Sequence, residues 1–339
     1  MNGQDRTCDV LVLGAGPAGT AAAINLHRKN SVILCEKDHF PRFKSCAGLL
    51  EEDIYNAVKK TSPGSILNSF ENIEVHMPHG KCESLPDKTV LLDRSIFDQE
   101  RVNFCRNIGI ITLEGYKAVA INQSIKQVTT FFQNGEIIKS RYVISASGSK
   151  NKIKGMPGLF AADRIPTLQA AIKCSRANKI QPEVVFFPGG TGYGWVFPGH
   201  KILNVGIYSM AKNGLHHRFQ AFLEEHGLAR IRGKGSQVLI RSQESPVGLG
   251  RILLAGDAAG LANPLTGGGL MTALYSGYAA AIAIMEEDEP DKSLTSYRKI
   301  LAKYIDRPFF QKSLARYFYK NMNTFYSYSR AFQHVYQCH

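Results

Sequence analysis

The first periodic signal in the chain is CDVLVL (8–13), a short apolar run of the kind that forms a buried strand. GAGPAG follows, then TAAAINLHRK with helical spacing, then the apolar SVILCEK. Strand, helix and strand in so few residues predict a parallel βαβ opening. Residues 40–50 (FPRFKSCAGLL) read as loop as far as CAG, and 49–60 as helix. Residues 73–77 and 89–92 predict strands around a Pro- and Gly-containing connection. SIFDQERVNFCRNIG (95–109) is an amphipathic helix returning to the strand IITLEG. A hairpin signal at Asn134 and Gly135 lies between two further strands, and RYVISASG (141–148) reads as another parallel-type core strand.

Between about 165 and 245 the pattern changes. TLQAAIKCS, EVVFFP, YGWVFP, ILNVGIY and SQVLIRSQ are short strands broken by Gly and Pro, with one helix near 216–227. That is the pattern of an antiparallel sheet inserted into an α/β framework. RILLAGD then returns to a buried parallel strand, and the rest is helical. The apolar stretch 270–285 contains Thr272, Tyr275, Ser276, Gly277 and Tyr278, which suits a buried helix and not a membrane crossing.

Two glycine clusters interrupt this pattern. Gly14, Gly16 and Gly19 form GxGxxG between a strand and a helix. There the first glycine permits a tight turn, the second lets backbone approach a pyrophosphate, and the third packs helix on strand. The helix N-terminus offers N–H donors to phosphate oxygens. Glu36 ends the next strand, placed to accept hydrogen bonds from a ribose. The second cluster is LAGDAAGLANPLTGGGLM (254–271). Asp257 ends a buried strand, suited to a polyol, and Gly267, Gly268 and Gly269 start a helix aimed at the same place. Such an end stabilises the negative charge of a reduced flavin, and bare backbone leaves room for a planar ring. The two clusters suit opposite ends of one long cofactor, FAD. A nicotinamide dinucleotide has no evident use for the second.

GAGPAG, Glu36, FPRFKSCAG, DRSIFD, ISASG, GYGWVFP and GDAAGLANPLTGGG resemble, in order, the flavoprotein family of geranylgeranyl reductases, within the larger para-hydroxybenzoate hydroxylase-like group. The resemblance covers roughly residues 8–285. It implies an α/β fold: a Rossmann-like FAD-binding domain with an inserted antiparallel β-sheet substrate domain and C-terminal helices. The expected divisions are 1–165 for the first part of the FAD domain (61–90 contributing to the substrate domain), 166–245 for the substrate cavity, 246–290 for the second FAD part, and 291–339 for basic aromatic helices. It also implies non-covalent FAD and reduction of C=C bonds in an isoprenoid lipid or pigment chain, with the external electron donor open between NADPH and a ferredoxin.

Position by position, the resemblance assigns Gly14, Gly16, Ala18 and Gly19 to the pyrophosphate and Glu36 to the adenosine ribose. Cys46, Ala47 and Gly48 fall beside the isoalloxazine, Arg94 near the diphosphate and ribityl chain, and Ala118 near the adenine. Asp257 falls on the ribityl, with Gly267, Gly268, Gly269 and Leu270 at the flavin pyrimidine edge. Arg42 and Lys44 are candidates for holding the diphosphate. Cys46, Tyr193 and Trp195 are the catalytic candidates, the thiol as a proton donor or polarity tuner and the two rings as a wall of the substrate cavity. One departure stands out: the family's ADG is here Ala146-Ser147-Gly148, without the aspartate.

Composition narrows the alternatives. The net charge is +13, and residues 291–339 hold nine Lys/Arg against two Asp/Glu, with 12 of the chain's 33 aromatics, among them Phe309, Phe310, Tyr317, Phe318, Phe325 and Tyr328. This reads as terminal helices with a solvated basic face and an aromatic core face. The sharper alternative is a surface resting on anionic lipid. No nucleic-acid-binding module accompanies the charge. Seven scattered cysteines, Cys338 the last, form no CxxC pair, and neither His76-x-x-His79 nor His216 and His217 reads as a metal site. No GxSxG supports a hydrolase. The N-terminus has no signal-peptide layout, so a cytoplasmic protein is expected, peripheral to a membrane in the sharper reading. The competing functions are a flavin monooxygenase or halogenase, because GYGWVFP is similar to the halogenase WxWxIP stretch, and a non-catalytic membrane-associated flavin-binding module.

Overall fold

The structure is a computed structural model describing residues 6–150, 152–158, 162–211, 213–287, 289–307 and 310–336. Phe309 and Cys338 lie outside the described residues. Two sheets carry the fold. In the first, strands Gly248–Leu249, Ile252–Leu254, Ile137–Ser145, Arg6–Leu13, Val32–Glu36 and Ile111–Glu114 lie side by side. The five from Ile252–Leu254 onward are parallel. The apolar runs 11–13, 32–36, 142–145 and 252–254 are buried on both faces, as a covered parallel sheet requires, while the edge strand leaves Ile111 exposed. The hairpin Ala118–Gln123 and Val128–Phe132 hangs antiparallel on Ile137–Ser145.

The second sheet runs Lys234–Ile240, Asp163–Lys173, Ile202–Ser209, Gly192–Pro198, Glu183–Phe186, Ile66–His76, Cys82–Leu92, Leu49–Glu51. It is antiparallel except where Glu183–Phe186 lies parallel to Ile66–His76, a mixed pairing the strand pattern did not announce. The expected strands 73–77 and 89–92 are the ends of much longer ones, Ile66–His76 and Cys82–Leu92. Their polar residues hid the period because one face is solvated. The helix expected over 49–60 begins as the edge strand Leu49–Glu51, and only Glu52–Val58 is α-helical.

The two glycine-started helices cross. A Cβ on Gly277, midway along Leu270–Glu286, would lie 2.0 Å from the carbonyl oxygen of Ala18 in Pro17–Leu26. Only glycine permits that approach, and both helix starts open on one cavity. At the C-terminal end, Pro290–Ile305, Lys312–Lys320 and Tyr328–Tyr336 follow. Their aromatics are largely turned inward. Phe318, Tyr319 and Met322 are buried with Phe186, Trp195 and Tyr208 of the second sheet, while Tyr317 and Tyr326 stay exposed. No described helix is long and apolar enough to cross a membrane.

Candidate functional site

A single cavity of about 1130 Å³ runs between the two sheets. Gly14, Gly16, Ala18, Glu36, Arg42, Lys44, Cys46, Ala47, Gly48, Arg94, Ala118, Asp257, Gly267, Gly268, Gly269, Leu270, Tyr193 and Trp195 all line it. Gly19 does not. A Cβ there would lie 1.8 Å from the Gly14 carbonyl oxygen, so it packs the helix beneath the turn.

The first glycine turn forms because Gly14 takes a φ of 102°, with its missing Cβ pressed on the carbonyl of Ala146. Ala15 N–H donates to Glu36 Oε2 (3.0 Å), so the carboxylate expected for a ribose also braces the turn. Arg42 Nη2 stands 3.6 Å from Glu36 Oε2 and 3.3 Å from Asp98 Oδ2. Asp98 is 1% exposed and holds Arg94 in a fork, Nε–H at 3.1 Å and Nη2–H at 2.9 Å. Burial works against the charge on Arg94, but Asp98 and then the Cys46 thiol outweigh it and raise its pKa. Arg94 thereby joins the glycine-turn end of the cavity to Cys46. Asp98 was within reach of the sequence, since it lies four residues from Arg94 on one helix face. The buried Nε of Arg42 has no partner.

The second cluster folds around Asn263. Its Oδ1 accepts from the N–H groups of Leu265 (2.8 Å) and Thr266 (3.1 Å), and its backbone pairs with Gly267 and Gly268. Gly267 is required by a φ of 64° and by the Tyr208 ring, 2.9 Å from where its Cβ would be. Its bareness thus serves the protein's own packing, whereas a Cβ on Gly268 or Gly269 would meet only the Thr266 hydroxyl at 3.1 Å or Asp257 and Ala262 at 3.4 and 3.9 Å, and both line the cavity. Asp257, 3.4 Å from the Cβ position of Gly269, pairs with Lys44 at 3.6 Å.

The far end is aromatic. Tyr193 stacks on Tyr208 (centroids 5.2 Å, 22°) and lies 6.1 Å from Trp195. The Tyr193 hydroxyl donates to the carbonyl of Thr266, and burial pushes its pKa up, so it keeps its proton. Trp195 Nε1–H donates to Asn204 Oδ1 (3.1 Å), while Asn204 Nδ2 donates to the carbonyls of Cys46 (3.3 Å) and Ala47 (3.0 Å). Asn204 therefore ties the aromatic wall to the CAG segment. Its signal was one polar residue within the apolar strand ILNVGIY. Tyr328 stacks on Phe186 at 5.8 Å with Phe332 beside it at 6.0 Å, and Tyr304 and Phe310, 4.9 Å apart, also line the cavity.

The donors present fit a long anionic cofactor with a planar end. Helices Pro17–Leu26 and Leu270–Glu286 both begin on glycine without a side-chain cap, and both starts open on the cavity. The N–H groups at the Pro17 start, with the unpartnered Arg42 Nε, call for an acceptor such as a diphosphate, and those at the Leu270 start suit an electron-rich ring edge.

Residues 8–190 match the family model described as pyridine nucleotide-disulphide oxidoreductase. The chain belongs to that family. Digeranylgeranylglycerophospholipid reductase 2 of Methanosphaera stadtmanae is 27% identical over 331 residues, covering 88% of this chain and 84% of that relative. A geranylgeranyl bacteriochlorophyll reductase-like crystal structure from Thermoplasma acidophilum superposes with a TM-score of 0.80 at 24% identity, covering 98% of each chain. A flavin-dependent halogenase structure superposes at 0.74 and 19% identity, covering 98% of this chain and 70% of that one. The resemblance expected with geranylgeranyl reductases holds along most of the chain, and the fold is that of the flavin-dependent oxidoreductases.

Proposed function

We propose that this protein is an FAD-dependent reductase of isolated C=C bonds in the isoprenoid chain of a lipid. The carrying observation is one continuous cavity, with the uncapped glycine helix start at Pro17 at its polar end and the second such start, at Leu270, beside an aromatic wall. The whole-length similarity to a protein named as a digeranylgeranylglycerophospholipid reductase supports the substrate class. Likeness to the halogenase is at the level of fold and adds no reaction.

FAD bound there supplies, once reduced, the hydride that an unactivated alkene needs. The chain's own residues do the rest. Gly14, Gly16 and the helix start at Pro17 hold the diphosphate, Glu36 the ribose, and Asp257 with Gly269 the ribityl and ring edge. Tyr193 and Trp195 face the alkene, where their π-faces stabilise the electron-poor carbon. Their own protons are committed to Thr266 and Asn204. Cys46 carries the proton assigned to transfer, from Sγ. Arg94 lies beside it, and Asp98 keeps that arginine in place. Ile73, Val75, Phe186, Tyr328 and Phe332 exclude water and bind the prenyl chain, at about 0.8 kcal/mol per buried CH₂. The basic segment 291–339 gives the protein a peripheral contact with anionic membrane, from which the substrate is drawn.

The test is anaerobic. Purified protein should carry FAD, bleach with dithionite, and regain its yellow colour on addition of a polyprenyl lipid, whose mass rises by two hydrogens per bond reduced. Flavin that stays reduced, or oxygen consumption with a hydroxylated product, overturns the proposal. Binding to anionic but not neutral vesicles checks the membrane contact.

A further inference from the structure

The wall of the cavity has a second face. Alternation along the strands turns Ile73, Val75 and Leu85 toward the cavity and leaves Glu74 and His76 on the opposite side. Register then gathers a cluster there: His76 stands across from Cys82, and Glu183 across from Glu74. Nε2 of His76 lies 3.2 Å from Glu183 Oε2, 3.7 Å from Cys82 Sγ and 3.8 Å from Glu74 Oε2. Cys82 Sγ lies 4.0 Å from Glu74 Oε2.

One ring nitrogen carries at most one proton, so it serves one of these three groups at a time. Two carboxylates in register on neighbouring strands also repel each other. A divalent cation among them removes both conflicts. Around tetrahedral Zn²⁺, with bonds of about 2.3 Å to sulfur and about 2.0–2.2 Å to nitrogen or oxygen, ligand atoms stand roughly 3.3–3.6 Å apart. The separations here fall on either side of that range.

We propose that Glu74, His76, Cys82 and Glu183 form a tetrahedral Zn²⁺ site on the rear of the cavity wall. Three of the four already hold their ligand atoms within 4.8 Å of one another. Glu183 is further fixed by His226, whose Nε2 lies 3.2 Å from Glu183 Oε1 and whose Nδ1–H donates to the Phe222 carbonyl at 2.7 Å. A backbone-anchored histidine orienting a ligand carboxylate is the expected support for a metal. The ion joins three neighbouring strands directly behind Ile73, Val75, Val184 and Phe186, so it stiffens the surface that meets the prenyl chain without entering the reaction. No sequence spacing announces the site, because its ligands come from three strands.

The experiment uses untagged holoprotein, stripped with EDTA and titrated with Zn²⁺ alone. One zinc per chain is expected by mass spectrometry of the metal, with a rise in Tm. Replacing Zn²⁺ by Co²⁺ should give four-coordinate bands and a thiolate-to-cobalt charge-transfer band in the difference spectrum. C82S, at an exposed position, should keep its FAD but lose the charge-transfer band and bind zinc at least tenfold more weakly. H76A should weaken zinc similarly, with FAD content again reporting the fold. Wild-type protein that takes up no zinc at micromolar concentration overturns the proposal. So do C82S and H76A variants that bind it as the wild type does.

Discussion

Gly277→Ala sets two effects of opposite sign against each other. In a helix interior alanine is favoured over glycine by about 1 kcal/mol. At this position, however, the new Cβ meets the Ala18 carbonyl oxygen at 2.0 Å and its carbon at 2.9 Å, where real contacts stay above 3.0 Å. The helices must part by about 1 Å at the crossing. The obstacle is backbone within a buried helix, so no rotamer change relieves it. Overpacking of this kind costs about 1–3 kcal/mol, which outweighs the propensity gain over most of its range. The crossing lies beside Gly16 and Ala18, and the parting shifts them against Gly269 and Leu270. Both lips of the cofactor cradle then lose alignment. The loss of one net hydrogen bond, about 1.4 kcal/mol, is a tenfold loss of affinity. The expected variant has a lower urea midpoint and binds FAD at least tenfold more weakly by flavin fluorescence titration. A raised midpoint with unchanged FAD affinity would refute the reasoning, since that is what propensity alone delivers.

Other positions are equally open to test. Asn204→Leu leaves the Trp195 N–H and the carbonyls of Cys46 and Ala47 without their partner, at about 1–3 kcal/mol for each buried group. It should lower kcat with FAD content retained, and an unchanged kcat refutes the positioning role. Asp98→Asn removes the charge that faces both Arg94 and Arg42 and should cost about 3–5 kcal/mol in urea unfolding. A double-mutant cycle with Arg94→Met should show strong coupling, and additivity would refute the link. Burial pulls the pKa of Glu83 up, but the N–H of Ser329 at 2.8 Å and neighbouring donors outweigh it and hold it below its ordinary 4.5. A depressed carboxylate stabilises above its unfolded pKa and loses that contribution as the pH falls through the folded one. Hydrogen exchange of Tyr328–Tyr336 should therefore quicken as the pH drops below about 4.5, after correction for intrinsic rates. In Glu83→Gln it should already be quick at neutral pH, and a variant protected like the wild type refutes the docking role.

The features legible in the sequence are those whose physics is local. Turn chemistry belongs to a few consecutive residues, so GAGPAG after a buried strand and NPLTGGG before an apolar helix disclose the two glycine-started helices without any knowledge of pairing. The parallel core strands were legible for a similar reason, because burial on both faces leaves an unbroken apolar run such as 32–35. What depends on register was not legible. Asn204 matters through the two carbonyls it reaches 157 and 158 residues away, and nothing adjacent to it marks that role. Glu74, His76, Cys82 and Glu183 become neighbours only when three strands align, one of them in a parallel pairing that alternation does not encode. The aromatic tail shows how both kinds of information combine. Its helical period and its basic face were readable, but whether Phe318 and Tyr328 pack inward or meet lipid depends on an apolar partner. Phe186 supplies that partner, 5.7 Å from Phe318 and 5.8 Å from Tyr328, so the tail's aromatic payload closes the cavity.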